Sequence, residues 1–113
     1  MKNFPSIKKN DDFRTVRNLG RSKAAGNLVM IVRDNGTEAS RIGITISHRE
    51  GNSVVRHTFV RRMREIFRFY NSQTVQGKDI VIIARNRAGS ASFDELKSDY
   101  GKLLSYHKLY EES

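Results

Sequence analysis

Arg41-Ile42-Gly43-Ile44-Thr45-Ile46-Ser47 runs through a short polar loop into Gly51-Asn52-Ser53-Val54-Val55-Arg56-His57-Thr58-Phe59-Val60-Arg61-Arg62-Met63-Arg64-Glu65-Ile66-Phe67-Arg68, and these two pieces decide the fold. The first alternates with period two. Ile42, Ile44 and Ile46 point one way and Arg41, Gly43, Thr45 and Ser47 the other, which predicts a strand with one apolar and one wet side. The second opens on a turn and a helix cap, then changes to helical periodicity. At about 100° per residue, Phe59, Met63, Ile66, Phe67 and Tyr70 share one side, while His57, Arg61, Arg64 and Arg68 share another. A helix over about 53–71 with an apolar stripe and a separate arginine face is expected.

Downstream, Lys78 and Asp79 precede the apolar run Ile80-Val81-Ile82-Ile83-Ala84, which reads as a central strand buried on both faces. Strand, helix and strand then form a βαβ unit. Upstream, Asn10 is a good N-cap, Asp11 and Asp12 suit the first turn, and a helix should run to about Leu19, with Gly20 as its stop. Residues 28–33 read as a buried strand, and Asp34-Asn35-Gly36 as a hairpin turn into the strand at 41. After the polar loop Arg85-Asn86-Arg87-Ala88-Gly89, the sequence Ser92-Phe93-Asp94-Glu95 is a capping box for a last helix. Its inner face should carry Phe93, Leu96, Tyr100, Leu103, Leu104 and His107. The order is α-β-β-α-β-α, an α+β sandwich in one domain over residues 1–113, with no internal repeat.

The charge is unevenly placed. Residues 1–70 carry 15 Lys or Arg against 6 Asp or Glu, and residues 71–113 carry 6 of each, so the whole net charge of +9 lies in the first 70 residues. Residues 41–70 hold seven arginines and no lysine. Arginine is favoured where planar, bidentate phosphate contacts matter, and a basic excess on one side of a small fold favours a polyanionic partner. With no cysteine, disulfides and thiolate metal sites are excluded. No apolar run approaches the roughly 20 residues of a membrane span. Met1-Lys2-Asn3-Phe4-Pro5 lacks the apolar core of a signal peptide, so a cytoplasmic protein with no membrane partner is expected.

Each candidate residue has a plain structural reading beside its functional one. A solvated, salt-bridged face would need acids, yet Glu65 is the one acid within residues 51–70. Like charges at i, i+3 and i, i+4 repel slightly, so the arginine series is poorly explained by stability and well explained by contact with a nucleic acid. Arg56, Arg61, Arg62, Arg64 and Arg68 are the candidates, with Arg49 and His48 in the loop before them. Asn52 has two readings, as the helix cap or as an amide contact to the nucleic acid. Phe13 shares a helix face with Val16 and is on that ground a core residue. No catalytic constellation emerges: His48, His57 and His107 are not at metal-ligand spacing, and Asp94, Glu95 and Asp99 read as capping and solvation of the last helix. No bound cofactor or metal is expected, and a nuclease acting alone is disfavoured. A DNA-binding module is disfavoured too, because the basic helix has no helix-turn-helix partner.

The segment 41–47, with Gly51-Asn52-Ser53-Val54-Val55-Arg56 and Arg61-Arg62-Met63-Arg64-Glu65, resembles the signature of the bacterial ribonuclease P protein component. Asp12-Phe13-Arg14-Thr15-Val16 with Gly20, and Asp79-Ile80-Val81-Ile82-Ile83-Ala84-Arg85, extend the likeness over nearly the whole chain. The resemblance implies a fold similar to the second domain of ribosomal protein S5, with a left-handed βαβ crossover where the general rule is right-handed. It implies a protein subunit of the endonuclease that removes 5′ leaders from precursor tRNA. In that enzyme the RNA subunit is the catalyst and requires Mg²⁺, and no further protein partner is obligatory. The catalytic RNA would meet Arg49, Asn52, Arg56, Arg61, Arg62, Arg64 and Arg68. The first helix and the sheet would form a cleft for the single-stranded leader, with Phe13 at one of the family's aromatic positions and Lys9, Arg14 and Arg17 as cationic contributors. Arg17 and Ile31 stand where other members often have further aromatics. Arg56-His57-Thr58 replaces the family's usual Arg-Asn-Arg, and Val60 stands where lysine is common. The rival is a ribosomal or other structural RNA-binding protein of the same shape, which would leave precursor tRNA cleavage unchanged.

Overall fold

The computed structural model describes Ile7 and residues 10–110. Among them, chain order runs α1 (Asn10–Leu19), β1 (Arg21–Ala25), β2 (Leu28–Asp34), β3 (Arg41–Thr45), α2 (Ser53–Asn71), β4 (Lys78–Ala84) and α3 (Phe93–Tyr106). Single 3-10 turns lie at His48–Glu50 and Ala88–Ser90. The strands form one mixed sheet in the order β1-β2-β4-β3. β2 is antiparallel to both β1 and β4, and β3 is parallel to β4, so β3-α2-β4 is the expected βαβ unit. The class is α+β, as anticipated.

Two expectations fail around β2. The strand β1 was not foreseen: Arg21-Ser22-Lys23-Ala24-Ala25 has no apolar alternation, and its first four residues are exposed at the sheet edge. The hairpin lies on this side, with the two-residue loop Gly26-Asn27 between the paired Ala25 and Leu28. Gly26 at φ +55 supplies the positive φ that such a loop needs. Asn35-Gly36 does bend the chain, with Gly36 at φ +72 and Asn35 Oδ1 accepting the Thr37 N–H at 2.8 Å, but β4 separates the strands it joins. The connection steps over the start of β4 instead, with the Asn35 N–H donating to Gly77 O at 2.9 Å.

Apolar periodicity accounts for the layers. Leu28, Met30, Val32, Ile42, Ile80 and Ile82 face α2 and α3, where they meet Phe59, Met63, Ile66, Phe67, Leu96, Tyr100, Leu103 and Leu104. The alternate residues Ile31 and Val81 face the other way, under Ile7 and Val16, with Val29, Ile83 and Phe13 partly buried around them. β4 is apolar from Ile80 to Ala84, the part covered on both faces. Burial also settles why α2 forms despite its arginines. Four fully anchored side chains at roughly 1.5–3 kcal/mol each exceed like-charge costs of about 0.2–0.5 kcal/mol per pair.

The helix ends follow local chemistry. Asn52 caps α2 by accepting the Val55 N–H at 3.0 Å, and Ser92 and Glu95 make the reciprocal capping box of α3. α1 has the expected bounds, but the capping read for Asn10 and the first-turn role of Asp11 rest on side chains outside those described. Gly20 does not end α1 through a left-handed conformation. It is there for space: a Cβ would stand 2.6 Å from Val16 O and 2.7 Å from Ile31 Cγ2. Asp99 also departs from its reading as a solvated residue. It is buried and accepts from the Asn27 backbone N–H at 3.0 Å and from Asn27 Nδ2 at 3.3 Å, so α3 holds the β1–β2 hairpin loop.

Candidate nucleic-acid interface

The buried stripe of α2 consists of Phe59, Met63, Ile66 and Phe67. With that stripe locked into the core, the positions of His57, Arg61, Arg64 and Arg68 fall on the exposed side. The arginine face is therefore presented by a rigid helix, which limits the ordering cost of meeting a polyanion. Arg49 is exposed in the turn His48–Glu50, one step before the helix.

Asn52, Arg56 and Arg62 make defined hydrogen bonds to their surroundings. Asn52 acts as the cap, as its first reading holds. Arg56 is half-buried and donates through Nε to Gly51 O at 3.3 Å, which fixes its guanidinium beside the first turn of α2. Arg62 is half-buried, and its Nη1 donates to Ala91 O at 3.2 Å, tying α2 to the approach of α3. Val60 is half-buried and packs against the main core rather than presenting a group to solvent.

The second surface lies on the opposite face of the sheet. Phe13 is half-buried, and its ring lies over Gly43, where a Cβ would stand 2.8 Å from Phe13 Cε2. β3 is therefore not wet along its whole outer side, since Gly43 is buried beneath α1. Arg14 and Arg17 are exposed and, with Phe13 and Asn18, line a shallow recess of about 220 Å³. Ile31 is buried and belongs to the floor of this face. Lys9, the remaining candidate here, lies outside the described residues.

Two groups of residues gain a place that sequence reasoning did not give them. Asn86 and Arg87 stand consecutively at φ +51 and +65, an uncommon conformation for residues with a Cβ. The bend is held by Arg85 Nε and Asn86 Nδ2, which donate to Gly26 O at 3.1 and 3.2 Å. Gly89 then abuts the 3-10 turn and the first turn of α2, where a Cβ would stand 2.6 Å from Glu50 O and 2.7 Å from Val55 Cγ1. The Arg-Asn-Arg run was visible, but the backbone bend that sets its direction was not. The other group centres on Arg41. It was read only as part of the strand pattern, yet it donates to the buried Asp79 through Nε at 2.8 Å and Nη2 at 2.6 Å.

Residues 1–108 match the family model described as ribonuclease P. The chain belongs to the ribonuclease P protein family. Among curated relatives, the ribonuclease P protein component of Caldanaerobacter subterraneus subsp. tengcongensis is 39% identical over 106 residues, spanning 94% of this chain and 91% of that one. The solved RNase P protein of Staphylococcus aureus superposes with a TM-score of 0.86 at 31% identity, covering 97% of this chain and 100% of that one. The RNase P protein from Thermotoga maritima gives a TM-score of 0.81 at 28% identity, over 89% and 96% of the two chains. The matched residues include both the arginine helix and the Phe13 face. This member of the ribonuclease P family has no helix among its described residues long and apolar enough to cross a membrane.

Proposed function

We propose that this chain acts in ribonuclease P as a cationic clamp with two working faces. The face formed by Arg49, Arg56, Arg61, Arg64 and Arg68 docks on the catalytic RNA, and the face around Phe13 receives the 5′ leader of precursor tRNA. The observation that carries the reading is the arginine series on α2, set on the exposed side of a helix whose other side is locked into the core. Such a face lowers phosphate repulsion as RNA and substrate come together, and so lowers the Mg²⁺ that the RNA needs. The Mg²⁺ and the bond cleavage belong to the RNA subunit, in the cytoplasm. The protein contributes binding energy that favours precursor over mature product, not side-chain chemistry. Among the described residues, no group of three His, Cys, Asp or Glu is arranged to hold a metal ion.

At the leader face, a base stacked on the Phe13 ring would gain roughly 1–3 kcal/mol with little sequence preference. The basic neighbours Arg14 and Arg17 shift the balance there from stacking toward phosphate attraction. The test is equilibrium binding of a bacterial ribonuclease P RNA across a salt series. Each phosphate neutralised adds about −0.7 to −0.9 to the slope of log K against log salt. A wild-type slope that Arg61→Ala and Arg64→Ala each flatten by about one such unit supports the clamp. Slopes unchanged in both variants would refute it.

A further inference from the structure

Arg41 connects three elements. In the parallel pairing of β3 with β4 it stands opposite Asp79. Its bidentate contact uses Nε and Nη2, at 2.8 and 2.6 Å. Asp79 is 5% exposed and also accepts from Asn35 Nδ2 at 2.9 Å, so the guanidinium plane is fixed by a carboxylate that is itself held. The remaining amino group, Nη1, lies 3.6 Å from Asp12 Oδ2 in the opening part of α1. The next residue is Phe13, whose ring covers Gly43, two positions along the same strand. The chain ahead of α1 is tied to this strand as well, through the Ile7 N–H donating to Ile42 O at 2.9 Å.

We infer that Arg41, locked on Asp79, is a positioning residue: through Asp12 it sets the opening of α1, and with it the placement of Phe13 toward a single-stranded RNA leader. The inference rests on the leader-binding reading of the Phe13 face. Arg41 is poorly placed to be a phosphate contact itself. Its donors are directed at two carboxylates, and one guanidinium between Asp12 and Asp79 leaves that corner with no excess of positive charge. The recess of about 320 Å³ beside it is lined by Asp12, Asp34 and Asp79 as well as by Arg33 and Arg41, which would repel an RNA backbone more than the α2 face does. The corner therefore holds α1 in place and leaves phosphate binding to other surfaces.

The sign of one substitution separates positioning from charge. Asp12 is half-exposed, with its side chain 42% accessible, so Asp12→Asn should leave folding intact. Removing a carboxylate from a protein that binds a polyanion strengthens binding by long-range charge alone. A positioning role predicts the opposite. In the reconstituted holoenzyme, Asp12→Asn should weaken binding of a precursor tRNA with a single-stranded leader by about two- to fivefold, the range for a partly exposed ion pair. Mature tRNA binding should not weaken, Asp12→Glu should retain wild-type affinity, and the defect should shrink as salt screens the pair. Phe13→Ala, measured alongside, tests the reading beneath. If Phe13→Ala lowers the precursor-over-mature ratio while Asp12→Asn binds precursor as well as wild type or better, the positioning role is overturned and leader binding stands. If Phe13→Ala leaves the ratio unchanged, both are overturned.

Discussion

Phe13 and Gly43 are in direct contact across the two layers: a Cβ on Gly43 would stand 2.8 Å from Phe13 Cε2 and 3.0 Å from Cδ2. The glycine is required by what lies on top of it, because α1 can approach β3 this closely only where no side chain intervenes. Gly43→Ala should therefore push the aromatic ring off the strand. The expected cost is about 1–3 kcal/mol, as for other overpacked sites, read as a lower urea midpoint at constant m-value. The same variant should lose part of the preference for precursor over mature tRNA, even though no RNA contact has been removed.

Asn52 has been assigned to capping, and the assignment can be checked separately from RNA binding. Asn52→Ala should cost about 1 kcal/mol in unfolding free energy, because the Val55 N–H loses its acceptor. Asn52→Asp keeps an acceptor at the helix start and should retain the stability. It also adds a negative charge beside the arginine face, so it should weaken RNA binding. Chemical unfolding and RNA titration of the same two proteins would reveal the split. An Asn52→Ala protein of full stability would return Asn52 to an RNA contact.

Neighbouring arginines should separate in the same way. Arg62 Nη1 donates to Ala91 O, whereas Arg61 is exposed on the outer side of α2. Arg62→Ala should cost on the order of 0.5–1.5 kcal/mol of stability, the usual net value of such a hydrogen bond. Arg61→Ala should leave the melting temperature within about a degree, since surface substitutions usually change stability by under roughly 0.5 kcal/mol. Differential scanning calorimetry on the pair decides it.

His107 links stability to pH. Its ring is held by Met30 O at 3.0 Å from Nε2. Burial holds its pKa below the usual value of about 6.5; the Met30 carbonyl opposes that shift, while Arg21 and Lys23 add to it. The unfolded chain therefore takes up the proton at higher pH than the folded one does. Stability from this residue is complete above about pH 6.5, falls as pH drops below that value, and levels off below the lowered folded pKa. Denaturant midpoints measured from pH 8 to 5 should fall in this direction, and His107→Gln should remove that part of the slope.

Much of this was legible in the residues, and what was not has physical causes. The βαβ unit, the buried face of α2, the capping box at Ser92 and the two-sided burial of β4 each follow from periodicity or local hydrogen bonding, which short stretches of sequence encode. β1 was hidden because an edge strand with four exposed residues needs no apolar alternation. Asn35-Gly36 misled because a turn dipeptide reports a reversal of the chain, not which strand becomes the neighbour. Asp99 looked like surface charge because its acceptors serve Asn27, 72 residues away. At the interface, the spacing placed Arg61, Arg64 and Arg68 on one face. It could not show that Arg62 turns back to Ala91 O or that Arg41 is committed to Asp79, since both partners are distant in sequence.

The most direct test of the clamp is cleavage of precursor tRNA by a bacterial ribonuclease P RNA at low, near-physiological Mg²⁺, with and without this protein. Wild type should restore cleavage at the 5′ end, and an Arg61→Ala/Arg64→Ala protein of unchanged stability should fail to. If a cognate RNA binds the wild-type protein tightly but gains no cleavage, the protein would be a structural RNA-binding protein and the clamp account would be contradicted.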